Sequence, residues 1–146
     1  GDGSLRQTWF LAAHVHAQLY GFLAMTLFGV VYHALPRVLA AEFPRPGLVR
    51  AHFWCAALGM VGVVLALALG GLVEHRALAN WEIPFVDVAR KALPFLRVGT
   101  LGELAIAVGH LLLLGNLAGL LARWFQARGR PVVEAWIRPE AVEVRS

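Results

Sequence analysis

Two histidines one residue apart, His14 and His16, stand inside a stretch, residues 7–36, that contains no Asp, Glu, Lys or Arg. Ionisable side chains in so apolar a segment are costly to hold in lipid and are as a rule kept there for a function. On an α-helix, residues i and i+2 point about 200° apart, so the two imidazoles face opposite sides and cannot share one metal ion. Three uses fit that geometry. Two haems, one on each side of the helix, could each take one axial imidazole, since His is the common proximal ligand of haem iron; the pair could relay protons; or both rings could be hydrogen-bonded at a membrane interface.

Other groups are weaker candidates. His33 lies 19 residues after His14, about 28 Å along a helix, and belongs to the opposite interface. His52 and His75 open and close the second apolar run, where capping or snorkelling is the expected role. Glu103 and His110 are seven apart, on one helix face, and form either a proton-conducting pair or interior hydrogen bonds. The one cysteine, Cys55, makes neither a disulfide nor a CxxC pair and reads as a small core residue. P-loop, GxSxG, HExxH and nucleotide-fold GxGxxG motifs are missing.

The elements that must position these residues follow from charge patterning. The chain has 146 residues, 59% of them hydrophobic and 15% charged, with a mean hydropathy of +0.66, against about 25% charged in soluble domains. Residues 51–73 carry no charge and residues 98–122 carry only Glu103. About 20 apolar residues cross a bilayer core about 30 Å thick, so the expectation is an all-α membrane protein, a single membrane domain over 1–146. Its three transmembrane helices are placed at about 8–35, 51–73 and 98–125. Pro36 should stop the first, residues 85–93 should form a short interfacial helix, and the polar tail 131–146 should be loosely ordered. The chain opens at Gly1 without the pattern of a signal peptide, as a processed or excised segment would.

Eight basic residues (Arg37, Arg45, Arg50, Arg123, Arg128, Arg130, Arg138 and Arg145) fall on one side of these helices and five (Arg6, Arg76, Arg90, Lys91 and Arg97) on the other. By the positive-inside rule the N-terminus lies outside and the C-terminus in the cytoplasm. The net charge of +4 sits on loops and ends, not on a basic aromatic patch, and predicts no nucleic-acid partner. Membrane lipid is the expected surrounding.

The run HVHAQLYGFLAMTLFGVVYHALPRV, residues 14–38, resembles the tenth helix of the catalytic subunit of haem-copper oxidases, in the branch of cbb3-type cytochrome c oxidases and nitric oxide reductases. AHFWCAALGMVGVVLALALGGLVEHR is similar to the cbb3-type eleventh helix, with its HFW opening. FVDVARKALPFLRVGTLGELAIAVGHLLLLGN resembles the last loop and twelfth helix, including Pro94, Gly102, Gly109 and Asn116. The match runs over about residues 9–121. It implies that His14 is the proximal ligand of a high-spin b-type haem and His16 a ligand of a low-spin b-type haem, with Val15 between the two centres. Arg76, Arg90, Lys91 and Arg97 lie on the HxH side, where propionates would emerge, and Arg97 is the preferred partner for them.

The resemblance implies a component of a cbb3-like respiratory oxidase in a bacterial inner membrane, reducing oxygen with electrons from cytochrome c alongside other oxidase subunits or helices. Copper belongs to the site only if those helices supply its ligands, because the family's non-haem metal is held elsewhere. Glu103 stands where the family more often has glycine, His33 where a tyrosine or other large residue is common, and Gly99 where an arginine is expected. The alternatives are a nitric oxide reductase-like subunit, a small haem-b electron carrier (as a homodimer, for instance), and a haem-free assembly subunit.

Overall fold

The computed structural model describes residues 5–137. Among them it holds three helices long and apolar enough to cross a membrane, Trp9–Leu39, Pro46–Leu78 and Phe85–Ile137, and no strand. A short 3-10 turn, Leu5–Gln7, leads into the first. Thr8 closes that entry from both sides. Its hydroxyl donates to the Leu5 carbonyl at 2.8 Å and accepts from the Phe10 amide at 3.3 Å, satisfying one of the amides a helix start leaves unpaired.

The helices outrun the expected spans, and each difference has a local cause. Pro36 does not stop the first helix, which continues to Leu39. A proline within the last turns removes one backbone bond but leaves the chain free to finish its turn. The stop is at Ala40, in the left-handed region at φ 44°, where the Ala40 and Ala41 amides bond back to Arg37 and Pro36. The second helix starts five residues earlier than residue 51, with Pro46 in its first turn, a place where a missing N–H costs nothing. Residues 85–93 are not a separate interfacial helix: they run through Pro94 into the third span without a break. Residues 131–137 of the expected loose tail are helical, and the rest of that tail lies outside the described residues.

The second and third helices form the packed pair. A side-chain carbon on Gly59 would fall 2.6 Å from the Gly102 carbonyl oxygen, and one on Gly102 equally close to that of Gly59, so the backbones touch where both residues lack a side chain. Small residues of this kind let helices approach in lipid, where no hydrophobic force drives them together. Asn116, 2% exposed, locks the far end: its side chain accepts from the Arg45 amide at 3.1 Å and donates to the Arg45 carbonyl at 3.0 Å.

The first helix joins this pair mainly through its N-terminal turns. Ala13 packs with Met60, Val63, Leu67 and Ile106, and between Trp9 and Leu39 it is the one residue buried. At Gly71 of the second helix an added side-chain carbon would sit 2.2 Å from the Phe10 backbone nitrogen. Glu74, one turn further on, accepts a hydrogen bond from the Trp9 amide at 3.1 Å, a carboxylate placed at the positive end of the helix dipole.

Candidate functional site

Two sets of chemically able side chains emerge. The first is the HxH turn. His14 and His16 close the α-helical stretch Trp9–His16, the turns that Gly71 and Glu74 fix, and directly after them Ala17–Ala24 runs as a π-helix. Such wide turns are rare and often mark functional places in a helix. His14 is exposed and His16 half-buried. The Nδ1 of His16 lies 2.8 Å from the Ala12 carbonyl oxygen, so that nitrogen carries the proton and donates, and the Nε2 lone pair stays uncommitted. A backbone partner on one ring nitrogen is how metal-binding imidazoles are held in one tautomer.

Beside His16 an open groove of about 560 Å³ is lined by Arg6, Thr8, Trp9, Leu11, Val15 and Glu74 among others. Arg97 does not line it; Arg6 does. Arg97 is exposed on the third helix, two residues past Phe95, which faces Gly70, while Gly71 faces Phe10. It therefore stands level with the first turns of the first helix, pointing away from the packed pair. His33 is exposed near the other end.

The second set corrects one expectation, for His52, and decides between the two uses expected of His110, which makes interior hydrogen bonds. His52 neither caps nor snorkels: it is completely buried, because the second helix begins at Pro46 and carries residue 52 inward. His110 does not pair with Glu103, which is exposed; its Nε2 accepts from the Tyr20 hydroxyl at 2.7 Å and its Nδ1 donates to the Ile106 carbonyl at 2.7 Å. Tyr32 bonds through its hydroxyl to Nδ1 of His52. Phe28 stands against both imidazoles, ring centroids 4.7 and 5.3 Å away, and the imidazoles are 5.1 Å from each other. The sequence signal for this cluster was Tyr20, Phe28 and Tyr32 recurring on the helix that faces two histidines.

Comparison with known proteins identifies the family. Residues 2–105 match the model of the family described as cytochrome c and quinol oxidase polypeptide I. The chain belongs to that family. The resemblance to the haem-copper oxidase subunit read from the sequence is thus borne out, and with it the all-α membrane fold. The chain is 31% identical over 120 residues to cytochrome c oxidase polypeptide 1 of Halobacterium salinarum, which covers 80% of this chain and 18% of that protein. It is 36% identical over 62 residues to the Cbb3-type cytochrome c oxidase subunit CcoN1 of Stutzerimonas stutzeri, covering 42% of this chain and 13% of that protein. A cytochrome c oxidase subunit 1 homolog of Azorhizobium caulinodans is 24% identical over 117 residues, 75% of this chain and 21% of that protein. The chain thus spans about a fifth or less of the length of these relatives, members with it of a membrane oxidase family that binds haem and copper.

Proposed function

We propose that this chain is the haem-ligating C-terminal part of a cbb3-like respiratory cytochrome c oxidase, with His14 holding a high-spin and His16 a low-spin b-type haem. The observation that carries the reading is the HxH turn itself. Two imidazoles leave opposite sides of one helix, His16 already has its Nδ1 tied to a backbone carbonyl, and Phe10, Leu11, Val15 and Leu19 around them are exposed apolar side chains. An imidazole with a free Nε2 amid bare hydrocarbon suits a flat, largely apolar macrocycle with an iron at its centre. Haem bound there would supply electron transfer and the binding of a diatomic substrate.

The protein's own residues have distinct tasks in this reading. Ala12 fixes the His16 tautomer. Glu74 and Gly71 fix the height and direction of the helix start, and so the position of both rings. Arg97 and Arg6 offer guanidinium groups at that height for propionates, where charge-assisted hydrogen bonds are strongest. Among the described residues no group of three or more His, Cys, Asp and Glu stands together, so copper ligands would come from other helices of the oxidase. The 36% identity to a CcoN1 segment favours the cbb3-like branch. The basic-residue balance supports an orientation with the HxH end outward, in the bacterial inner membrane that the resemblance implies, where cytochrome c would deliver electrons.

The test is a pair of difference spectra, reduced minus oxidised and carbon monoxide-bound minus reduced, on the membrane-extracted protein with its co-purifying subunits. His14→Ala should abolish the carbon monoxide-reactive b-type signal and His16→Ala the six-coordinate one. Unchanged spectra in both variants would refute the assignment; only six-coordinate haem in the wild type would favour an electron carrier without oxygen chemistry.

A further inference from the structure

The third helix runs on past everything that packs against it. Asn116 is bonded to Arg45 and Leu120 is fully buried, but none of residues 121–137 is buried. That stretch is about 25 Å of helix. It begins where the uncharged run ends, at Arg123, the level at which a spanning helix leaves hydrocarbon for headgroups.

The projecting helix has two unlike sides. Phe125, Gly129, Val132 and Trp136 fall at i, i+4, i+7 and i+11, the spacing of one helix face. The Phe125 ring lies over Gly129, where an added side-chain carbon would meet it at 2.6 Å, and Trp136 is 84% exposed. Arg130 and Glu134, paired at 2.8 Å, each stand two positions before Val132 and Trp136, about 200° away around the helix. So short a helix is marginal in water by itself, and its apolar side calls for a surface. It also has the means to turn toward one. Phe125–Gly129 is a π-helix, in which the Arg130 amide reaches back to the Phe125 carbonyl, and Pro131 has no N–H to return to the preceding turn. Wide turns and prolines are the places where helices bend.

We propose that residues 125–137 are an interfacial helix that turns at Phe125–Gly129 and lies in the headgroup layer of an anionic membrane, with Phe125, Val132 and Trp136 against the acyl chains. The bilayer is the surface within reach, since the segment continues a membrane span. Charge selects the lipid. Among the described residues at this end, Arg37, Arg45, Arg50, Arg123, Arg128 and Arg130 stand against Glu42 and Glu134, all of them exposed. Arg128, one turn before Val132, borders the apolar side, where its stem can stay in the boundary layer and its guanidinium reach phosphates. Trp136 is of the type that settles at headgroup level. Helices of this kind are held by buried apolar area together with attraction to anionic lipids.

The experiment is photo-crosslinking from p-benzoylphenylalanine placed at Val132 or, separately, at Glu134. The protein, extracted with its companion subunits, is returned to vesicles of phosphatidylcholine alone or of phosphatidylcholine mixed with phosphatidylglycerol, and adducts are identified by mass spectrometry. Position 132 should give lipid adducts in the mixed vesicles, well above position 134 and well above the yield in phosphatidylcholine. Arg128→Gln should lower the yield at 132 in the mixed vesicles by up to about fivefold, the share of one arginine near an anionic surface. Adducts of position 132 to a companion subunit would overturn the proposal in favour of a protein contact, and equal or absent lipid adducts at both positions would mean a helix standing clear of the bilayer. A lipid yield indifferent to both phosphatidylglycerol and Arg128 would overturn the anionic selection. Both labelled positions are exposed, so neither label disturbs packing, and the readout does not depend on whether His14 and His16 hold haem.

Discussion

At the residue scale, the side chains that matter most are those whose partners are backbone. Asn116 brackets the amide and carbonyl of Arg45, and Arg45 precedes the first turn of the second helix. Asn116→Ala removes both hydrogen bonds and should cost about 0.5–1.5 kcal/mol for each, whereas Asn116→Asp keeps the acceptor and loses only the donor. Thermal unfolding in detergent, followed by circular dichroism, should rank wild type, Asp and Ala in that order. Glu74 is comparable: its carboxylate meets the Trp9 amide at the start of the helix that carries His14 and His16. Glu74→Gln should leave the fold intact and weaken the hold on that turn by about 0.3–1 kcal/mol, read as a broadened or shifted haem band in the spectra that test the ligand assignment.

At the element scale, the helices are fixed by places where a side chain is missing and by one where it is a burden. Gly71→Ala would drive a methyl group into the Phe10 backbone, whereas the same change at Gly62 meets nothing within 4 Å. The expected contrast is loss of the first helix's docking, and with it of haem content, for Gly71→Ala, and near-wild-type behaviour for Gly62→Ala. Ala40 holds a left-handed conformation at φ 44° that costs a non-glycine residue about 1–2 kcal/mol. Ala40→Gly removes that strain and should stabilise the protein by a part of it, since glycine also has more freedom to lose on folding; a raised midpoint in the same thermal assay checks it. The long uncharged runs announced three helices, but not that helix persists past Pro36 and Pro94. Pro36 lies near a helix end and sacrifices one bond there, while Pro94 lies inside its helix, where neighbouring turns and helices can re-satisfy the freed backbone group.

At the scale of the whole molecule, the first helix is the telling element. Leu19, Phe22, Leu27 and Val30 are exposed along it, Phe22 by 73%, while the second and third helices pack closely on each other. In the proposed oxidase, a helix bearing two exposed or half-exposed histidines at one end would be covered on more than one side by helices this chain does not supply. Single cysteines placed at Leu27 and at Leu65, exposed on the second helix, should therefore react differently with a lipid-soluble maleimide in the intact oxidase. Leu27→Cys should be shielded by neighbouring helices, and equal labelling of the two would count against that burial.

The sequence by itself determined the three spans, their membrane character and the opposed directions of His14 and His16, because hydropathy, charge spacing and the turn of an α-helix are properties of neighbours along the chain. It also carried the family, through ordered blocks of residues at fixed spacing. Only the tertiary structure decided that His52 is enclosed rather than at an interface, that His110 answers Tyr20 and not Glu103, and that Arg6, not Arg97, lines the groove beside His16. These contacts join residues on different helices, 90 positions apart for Tyr20 and His110. They depend on how far each helix extends, on the wide turns of Ala17–Ala24, and on the glycine contacts that set which faces meet. A helix begun at residue 46 rather than 51 carries His52 from the edge of the bundle into its interior, and periodicity along one strand of sequence contains no record of that depth.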